Sequence, residues 1–88
     1  MKYNVFLSRR AEKEVLSLDD KTYSRIITVI FSLGDDPRPS GSRKLKVRDS
    51  LWRVRVGNFR IVYSIDDRVR IVGISRVSDR KDAYNGLQ

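Results

Sequence analysis

Three arginines lie close together in residues 51–63, LWRVRVGNFRIVY, and they are the side chains of this sequence best suited to chemistry: Arg53, Arg55 and Arg60. A guanidinium group presents planar, forked N–H donors that match the oxygens of a phosphate. One interpretation is therefore an anion site, above all for a phosphate. The alternative is a solvated sheet face, on which the arginines splay apart and their stems cover apolar neighbours. The residues alone leave both interpretations open.

The segment that carries these arginines predicts a β-hairpin. Its apolar and charged residues alternate with the period of two that is typical of half-buried strands. Gly57 and Asn58 form a two-residue loop, in which glycine at the first position permits a type II′ turn. This loop length places Arg55 directly opposite Arg60, where like charges cost stability. This unfavourable pairing supports the anion-site interpretation of the arginines.

Two helices are predicted to cover the other, apolar side of the hairpin. Alternation indicates a first strand at residues 3–7, and Ser8 is a suitable helix N-cap. Apolar residues at helical spacing predict helices over residues 9–18 and from about 21 to 33. Their apolar stripes need a partner surface, and the hairpin offers the only one large enough. The stripe of the second helix is Tyr23, Ile26, Ile27, Ile30 and Leu33.

The residues between the second helix and the hairpin predict a loop and a short basic strand. Residues 35–41 are dense in turn formers. The strand that follows has a basic outer face, formed by Arg43, Lys44, Lys46 and Arg48. Such a charge run is typical of a solvated edge strand as well as of a binding surface.

The residues after the hairpin predict one more strand and a terminal helix. Asp66 and Asp67 suit a two-residue turn, which places Arg60 opposite Gly73 and leaves free space beside the arginine. The last strand ends near Val77. A short terminal helix follows and carries basic residues and a tyrosine.

The composition limits the classes of function. The sequence has 88 residues with neither cysteine nor histidine, which excludes disulfides, thiolate metal sites and imidazole catalysis within it. No apolar run has the length of a membrane helix or the pattern of a signal peptide. We therefore expect one small domain over residues 1–88, located in the cytoplasm, without a metal or other cofactor.

The charge distribution points to a polyanionic partner. The net charge is +8, and because acidic and basic side chains balance over residues 1–36, the whole excess lies in residues 37–88. A basic surface on one part of a small domain indicates nucleic acid above all. An acidic protein is the alternative, and a membrane surface is not expected because no basic amphipathic helix accompanies the charge.

Four stretches of the sequence form a recognisable pattern: DPRPSG at 36–41, KL at 44–45, WRVRVGNFRIVY at 52–63 and DRKDAY at 79–84. Together with the predicted order of elements, they resemble the RelE/ParE superfamily of bacterial and archaeal toxins. In the helices the resemblance rests on pattern alone. It implies an α+β fold with an N-terminal strand, a two-helix hairpin packed on a small antiparallel sheet, and a short C-terminal helix.

The RelE branch, which this chain resembles, consists of ribonucleases that cut messenger RNA in the ribosomal decoding site and are inhibited by an antitoxin encoded beside them. The resemblance thus implies a type II toxin whose partners are a cognate antitoxin and the ribosome with its messenger. It implies that Arg53 and Arg55 flank the scissile phosphate and that Arg60 holds it. It further implies that Arg80 stabilises transition-state charge and that Tyr84 lies against the substrate nucleotide.

The roles of Arg80 and Tyr84 come from the resemblance alone. By their residue types, Arg80 also fits a solvated or aspartate-paired helix charge, and Tyr84 also fits packing of the terminal helix against Leu87. The candidate RNA contacts around the site are all basic: Arg43, Lys44, Lys46 and Lys81.

The implied reaction is attack by a ribose 2′-hydroxyl on the adjacent phosphate. It needs in-line positioning, stabilisation of charge on the phosphate oxygens and proton transfer at both ends, and it needs no metal. Guanidinium meets the charge requirement but stays protonated and cannot act as a base near neutral pH. Some members of the family have lysine in place of Arg53 and Arg55. The general base therefore stays open among Lys44, Lys46, Asp79 and ribosomal RNA.

Two alternative functions stay open on the sequence. The first is a ParE-like toxin that binds DNA gyrase and cleaves no RNA; that branch shares the fold but commonly lacks the full set of five site residues. The second is a basic nucleic-acid-binding or protein-binding module without enzymatic activity. Tyr84 is the single aromatic residue expected to reach the basic face, which is poor provision for a general stacking platform.

Overall fold

The computed structural model describes residues 2–45 and 51–79, and this part of the chain forms two helices and five strands. In chain order they are β1 (Asn4–Leu7), α1 (Arg9–Leu16), α2 (Asp20–Ser32), β2 (Arg43–Lys44), β3 (Leu51–Val56), β4 (Phe59–Asp66) and β5 (Ile71–Asp79). The predicted α+β class is confirmed. The predicted C-terminal helix lies outside the described residues. No helix in the described ranges has both the length and the apolar character needed to cross a bilayer.

Each helix begins at a side chain that caps its first turn. Ser8 precedes α1, and its Oγ accepts a hydrogen bond from the backbone N–H of Ala11 at 3.0 Å. Asp19 precedes α2, and its Oδ1 accepts from the N–H of Thr22 at 2.7 Å. Both contacts satisfy N–H groups that have no partner inside the helix. The predicted cap at Ser8 is confirmed.

The strands form one sheet in the order β1-β5-β4-β3-β2. β1 runs parallel to β5, and all other neighbours are antiparallel. Both helices pack on one side of the sheet, and we call the opposite side the open face. The side chains buried between helices and sheet are Ala11, Val15, Ile26, Ile30, Leu33, Val54, Ile61, Tyr63, Ile65, Val72, Ile74 and Val77. The predicted packing of the helices on the apolar side of the hairpin is confirmed.

One residue of the predicted helix stripe, Tyr23, is exposed. Ile26, Ile30 and Leu33 are fully buried and Ile27 is half-buried, whereas Tyr23 is 38% exposed. Tyr23 lies in the first turn of α2, at the end of the stripe, where an amphipathic side chain can keep its polar tip in water.

β3 and β4 pair in the predicted register. Arg55 lies opposite Arg60, and the loop between the strands is Gly57 and Asn58. Gly57 has a φ of +59°, whereas Asn58 has a negative φ. This combination is that of a type II′ turn, so the conformation and length of the loop are as predicted.

The predicted two-residue turn between β4 and β5 is wrong. The connection has four residues, 67–70, and β4 extends to Asp66. Asp66 Oδ1 accepts hydrogen bonds from the backbone N–H groups of Arg68 (3.0 Å) and Val69 (3.2 Å), and Arg70 adopts a left-handed conformation with φ of 56°. The aspartate thus shapes a longer loop by bonding to the backbone that follows it.

The longer loop and a bulge in the β4–β5 ladder change which residues face each other. Arg60 lies opposite Ser78, not opposite Gly73 as predicted, and Val62 lies opposite Arg76. The position beside Arg60 therefore carries a serine side chain, and the predicted free space there is absent.

A polar cluster fastens the loop before β2 to the sheet. Arg38 donates to both carboxylate oxygens of Asp67, with Nη2–Oδ2 at 2.8 Å and Nη1–Oδ1 at 3.3 Å. The Tyr3 hydroxyl donates to the same Oδ1 at 2.6 Å, and the Arg38 guanidinium lies 5.2 Å from the centroid of the Trp52 ring. The hydrogen bonds from Arg38 and then from Tyr3 lower the pKa of Asp67 to about 2. One carboxylate thus joins three separate parts of the chain.

We expect Asp67→Asn to destabilise the fold at neutral pH and to have little effect near pH 2. The pKa of Asp67 in the folded chain lies below its ordinary value of 3.8. Its charged form therefore stabilises the fold above that value, and the contribution is lost as the pH falls from about 4 towards 2. Urea unfolding of both chains across this range measures the difference. A difference that does not change with pH, or an equal effect in the loop control Asp35→Asn, would contradict the assignment.

Candidate phosphate-binding face

Four arginines come together on the open face, and we call them the arginine patch: Arg43, Arg53, Arg55 and Arg60. Arg43 lies opposite Arg53, and Arg55 lies opposite Arg60. Successive side chains of a strand point to opposite faces, and Val54 is buried against the helices, so its two neighbours project from the open face. The structure thus brings together the three arginines predicted as a group, and it adds Arg43 of β2.

The electrostatic interactions within the patch are repulsive. The pKa of Arg53 is lowered, first by its partial burial and then by the positive charges of Arg55, Arg43 and Arg60. The guanidinium still stays protonated at physiological pH, because the ordinary pKa of an arginine lies far above that pH. The lowered pKa shows that each charge in the patch makes the neighbouring charge less favourable. An anion bound among them relieves this repulsion.

Among the residues that the structure describes, no carboxylate forms an ion pair with Arg43, Arg55 or Arg60. The hydrogen bond that Arg53 makes there is long, from Nη1 to the carbonyl oxygen of Gly41 at 3.4 Å. The Nε of Arg60 is buried and has no acceptor within the same residues. A guanidinium in this patch that turns towards a ligand therefore loses few hydrogen bonds or ion pairs within the described part of the protein.

A fifth arginine on the open face, Arg76 of β5, differs from the patch because a carboxylate holds it. Its Nη2 donates to Oε2 of Glu14 on α1 at 3.1 Å, and Oε1 of Glu14 accepts the backbone N–H of Val77 at 2.8 Å. Glu14 thus neutralises Arg76 and limits the patch on this side. Alternation along β5 points to Arg76 only once the β4–β5 register is known, which is why it is absent from the predicted set.

Two predicted site residues lie on the helix-facing side of the sheet. Lys44 pairs with Trp52, and Asp79 pairs with Phe59. Both partners pack against the buried core. Alternation therefore separates Lys44 and Asp79 from the arginines, and neither is placed to exchange a proton with a group bound at the patch. The remaining candidates lie outside the described residues: Lys46, Arg80, Lys81 and Tyr84.

The fold and the patch together define a small α+β protein with helices on one side of its sheet and a cluster of arginines on the other. The family model described as the ParE toxin of the type II toxin–antitoxin system, parDE, matches residues 5–84. The chain belongs to this family, and so to the RelE/ParE superfamily that its sequence resembles.

Known relatives place the chain in the RelE-like branch. A Methanocaldococcus jannaschii protein named as toxin RelE1 is 34% identical over 89 residues, which cover 96% of this chain and 97% of the relative. The toxin of the RelE–RelB complex from Pyrococcus horikoshii OT3 is 26% identical with a TM-score of 0.81, over 91% of this chain and 97% of that one. A chain of the RelBE2 toxin–antitoxin complex from Mycobacterium tuberculosis is 25% identical with a TM-score of 0.79, over 91% of this chain and 100% of that one. The chain is a type II toxin of the RelE family.

We expect Arg55→Gln to stabilise the free protein. Removing one charge from the facing Arg55–Arg60 pair relieves a repulsion of a few tenths of a kcal/mol at low salt. Molar salt screens the repulsion between Arg55 and Arg60 in the unchanged chain, so the gain in stability should be smaller at high salt. Urea unfolding at low and at molar sodium chloride measures both effects. The control is Arg68→Gln, which removes one charge from the exposed loop at 67–70. Equal gains in the two variants would show an effect of total charge and not of the pair.

Proposed function

We propose that this toxin is an endoribonuclease that cleaves messenger RNA on the ribosome and thereby inhibits translation. The observation that carries the proposal is the arginine patch, four guanidinium groups on the sheet face opposite the helices with no ion-pair partner among the described residues. Such a surface suits a phosphate that gains negative charge during a reaction. The 34% identity to a protein named as toxin RelE1 supports the same branch.

In the proposed reaction the ribose 2′-oxygen forms a bond to the adjacent phosphorus, and the bond from phosphorus to the 5′-oxygen breaks. The 2′-hydroxyl loses a proton and the leaving 5′-oxygen gains one. Arg60 holds the phosphate from β4, where its Nε has no described acceptor, and Arg53 and Arg55 flank the phosphate from β3. Their task is to position the phosphate and to stabilise the charge that builds on its oxygens.

Proton transfer falls to groups other than the patch, because guanidinium stays protonated. Lys44 and Asp79, both open as bases on the sequence, lie on the helix-facing side, which leaves Lys46 and ribosomal RNA. The roles of Arg80 and Tyr84, in transition-state stabilisation and against the substrate nucleotide, are part of the proposal. No metal or other cofactor enters the reaction.

The ribosome is the proposed partner that holds the messenger in the reactive geometry. The patch lies on two antiparallel strands and their short neighbour β2, a surface that offers charge but few contacts to hold a strained RNA backbone. Free RNA should therefore be bound weakly and cut poorly. A toxin that acts on translating ribosomes works in the cytoplasm.

An antitoxin is the second proposed partner. The two structural relatives described above were solved as complexes named RelE–RelB and RelBE2. In this chain several large apolar side chains are exposed on the helices: Leu16, Tyr23 and Phe31. An antitoxin segment that is amphipathic could cover these residues, and an acidic one could neutralise the patch.

A gyrase-inhibiting toxin is the second candidate function, because the family model that matches residues 5–84 is that of the ParE toxin. Such a toxin would have no nuclease activity. The two functions differ in target, since one acts on ribosomes and the other on DNA supercoiling.

Primer extension on a defined messenger in a reconstituted translation system tests the proposal. We expect discrete cuts that require ribosomes, and a loss of about 100-fold or more in rate for Arg60→Gln, since removing one charge-stabilising donor typically has that effect. Arg68→Gln is the matched control and should cut like the unchanged chain. Cleavage by Arg60→Gln at the rate of the unchanged chain would contradict the role of the patch. No cuts under any condition would reject the nuclease, and inhibition of gyrase supercoiling would then support the second candidate.

A further inference from the structure

A large aromatic side chain is exposed on the same sheet face as the arginine patch. Phe6 of β1 is 57% exposed. Its neighbours Val5 and Leu7 pack against the core, so alternation directs Phe6 away from the helices and onto the open face. The expectation that Tyr84 is the single aromatic able to reach the basic face is therefore wrong. Phe6 has no part in the core, and it lies on the sheet face that carries the four arginines, so it can contact a ligand bound across that face.

The surface beside Phe6 can receive a flat group. Phe6 lies opposite Gly73 on β5, and Gly73 lies opposite Ser64 on β4. Gly73 has no side chain, and a Cβ there would lie 3.1 Å from the Oγ of Ser64. The sheet next to the phenylalanine ring is thus bare backbone with a hydroxyl at its far side. A planar ring can lie there against Phe6 with its polar edge near Ser64.

Phe6 lies at a distance from the patch that a short single strand can span. Along β4 the row of Ser64 is four residues from Arg60, and β1 is two strands away from β4. Strand geometry makes the Phe6–Arg60 separation about 16 Å. Arg76 lies between them and is already paired with Glu14. The open face therefore has a cationic end, a nearly neutral middle and an aromatic end.

We propose that Phe6 is a base-stacking subsite for single-stranded RNA whose phosphates contact the arginine patch. The inference rests on the proposed function for its substrate class, and it adds a second contact a few nucleotides from the phosphate to be cut. Unstacked bases bind to aromatic side chains on sheet faces, and the adjacent cationic groups hold the backbone. A protein partner is the competing occupant, but the arginine patch on the same face favours a polyanion.

Binding of a short oligonucleotide by the full chain tests the subsite without requiring cleavage. The probe is a fluorescent single-stranded hexanucleotide of 2′-O-methyl RNA, which cannot be cut by 2′-hydroxyl attack, and anisotropy reports its affinity. Phe6→Ala should weaken binding about ten-fold or more, as loss of one stacked base does. Phe6→Tyr should bind like the unchanged chain, whereas Phe6→Leu, which is apolar but not aromatic, should weaken binding nearly as much as Phe6→Ala.

Two controls separate stacking from charge and from general surface effects. Phe31→Ala removes another exposed phenylalanine, 47% exposed on α2, and should leave affinity unchanged. In a salt titration, Phe6→Ala should keep the slope of log affinity against log salt, while Arg55→Gln should reduce it by about 0.7, the value for one phosphate contact on a single strand. An abasic version of the probe should no longer distinguish Phe6→Ala from the unchanged chain.

The inference fails if Phe6→Ala binds the probe as tightly as the unchanged chain, if Phe6→Leu restores full affinity, or if the unchanged chain shows no binding. Unchanged RNA affinity together with weaker antitoxin binding in Phe6→Ala would reassign the residue to a protein interface. These results are independent of cleavage. If Phe6→Ala weakens binding but the chain makes no ribosome-dependent cuts, the nuclease proposal is rejected and the stacking subsite stands. If Arg60→Gln loses cleavage but Phe6→Ala binds RNA normally, the nuclease proposal stands and the subsite is rejected.

Discussion

The structure depends on the two-residue loop that fixes how β3 and β4 pair. A side chain on a strand faces one side or the other with a period of two, so a loop longer by one residue would turn every side chain of one strand to the opposite face. With Gly57 and Asn58 as the loop, Val54 and Ile61 face the helices together, and Arg55 and Arg60 face away together. One turn thus determines which side chains enter the core and which form the arginine patch. The repulsion between the facing arginines is tolerated because burial on the other side holds the register.

The parts of the fold that local pattern encodes could be predicted from the sequence, and the long-range pairings could not. Strict alternation and a glycine loop are sufficient for the β3–β4 register, and a serine cap marks the start of α1. The β4–β5 connection was ambiguous, because aspartates suit a two-residue turn as well as a longer loop. The loop forms because Asp66 bonds to two following N–H groups and Arg70 accepts a left-handed conformation, which the residue types alone do not indicate. The parallel pairing of β1 with β5 joins segments that are far apart in the sequence, so local pattern does not indicate it.

The same division applies to the candidate site. Arg53, Arg55 and Arg60 lie within one hairpin, and their grouping followed from its register alone. Lys44 shares the basic run with Arg43 but lies one residue further, which places it on the other face. Phe6 could be assigned to a strand but not to a surface next to arginines, because that requires the position of β1 in the sheet. Charge pattern thus predicts which residues form a patch more readily than it predicts what lies beside it.

The contact between Glu14 and Val77 has a consequence for solubility. Among the residues that the structure describes, β1 pairs with β5 only as far as Ile74, so the later backbone of β5 lies at an edge of the sheet that they form. Unpaired edges of this kind recruit strands from other copies of a protein and lead to aggregation. Glu14 reaches from α1 and takes the Val77 N–H at 2.8 Å. A helix side chain thus occupies the backbone donor to which an intruding strand would attach, while its second carboxylate oxygen stays paired with Arg76.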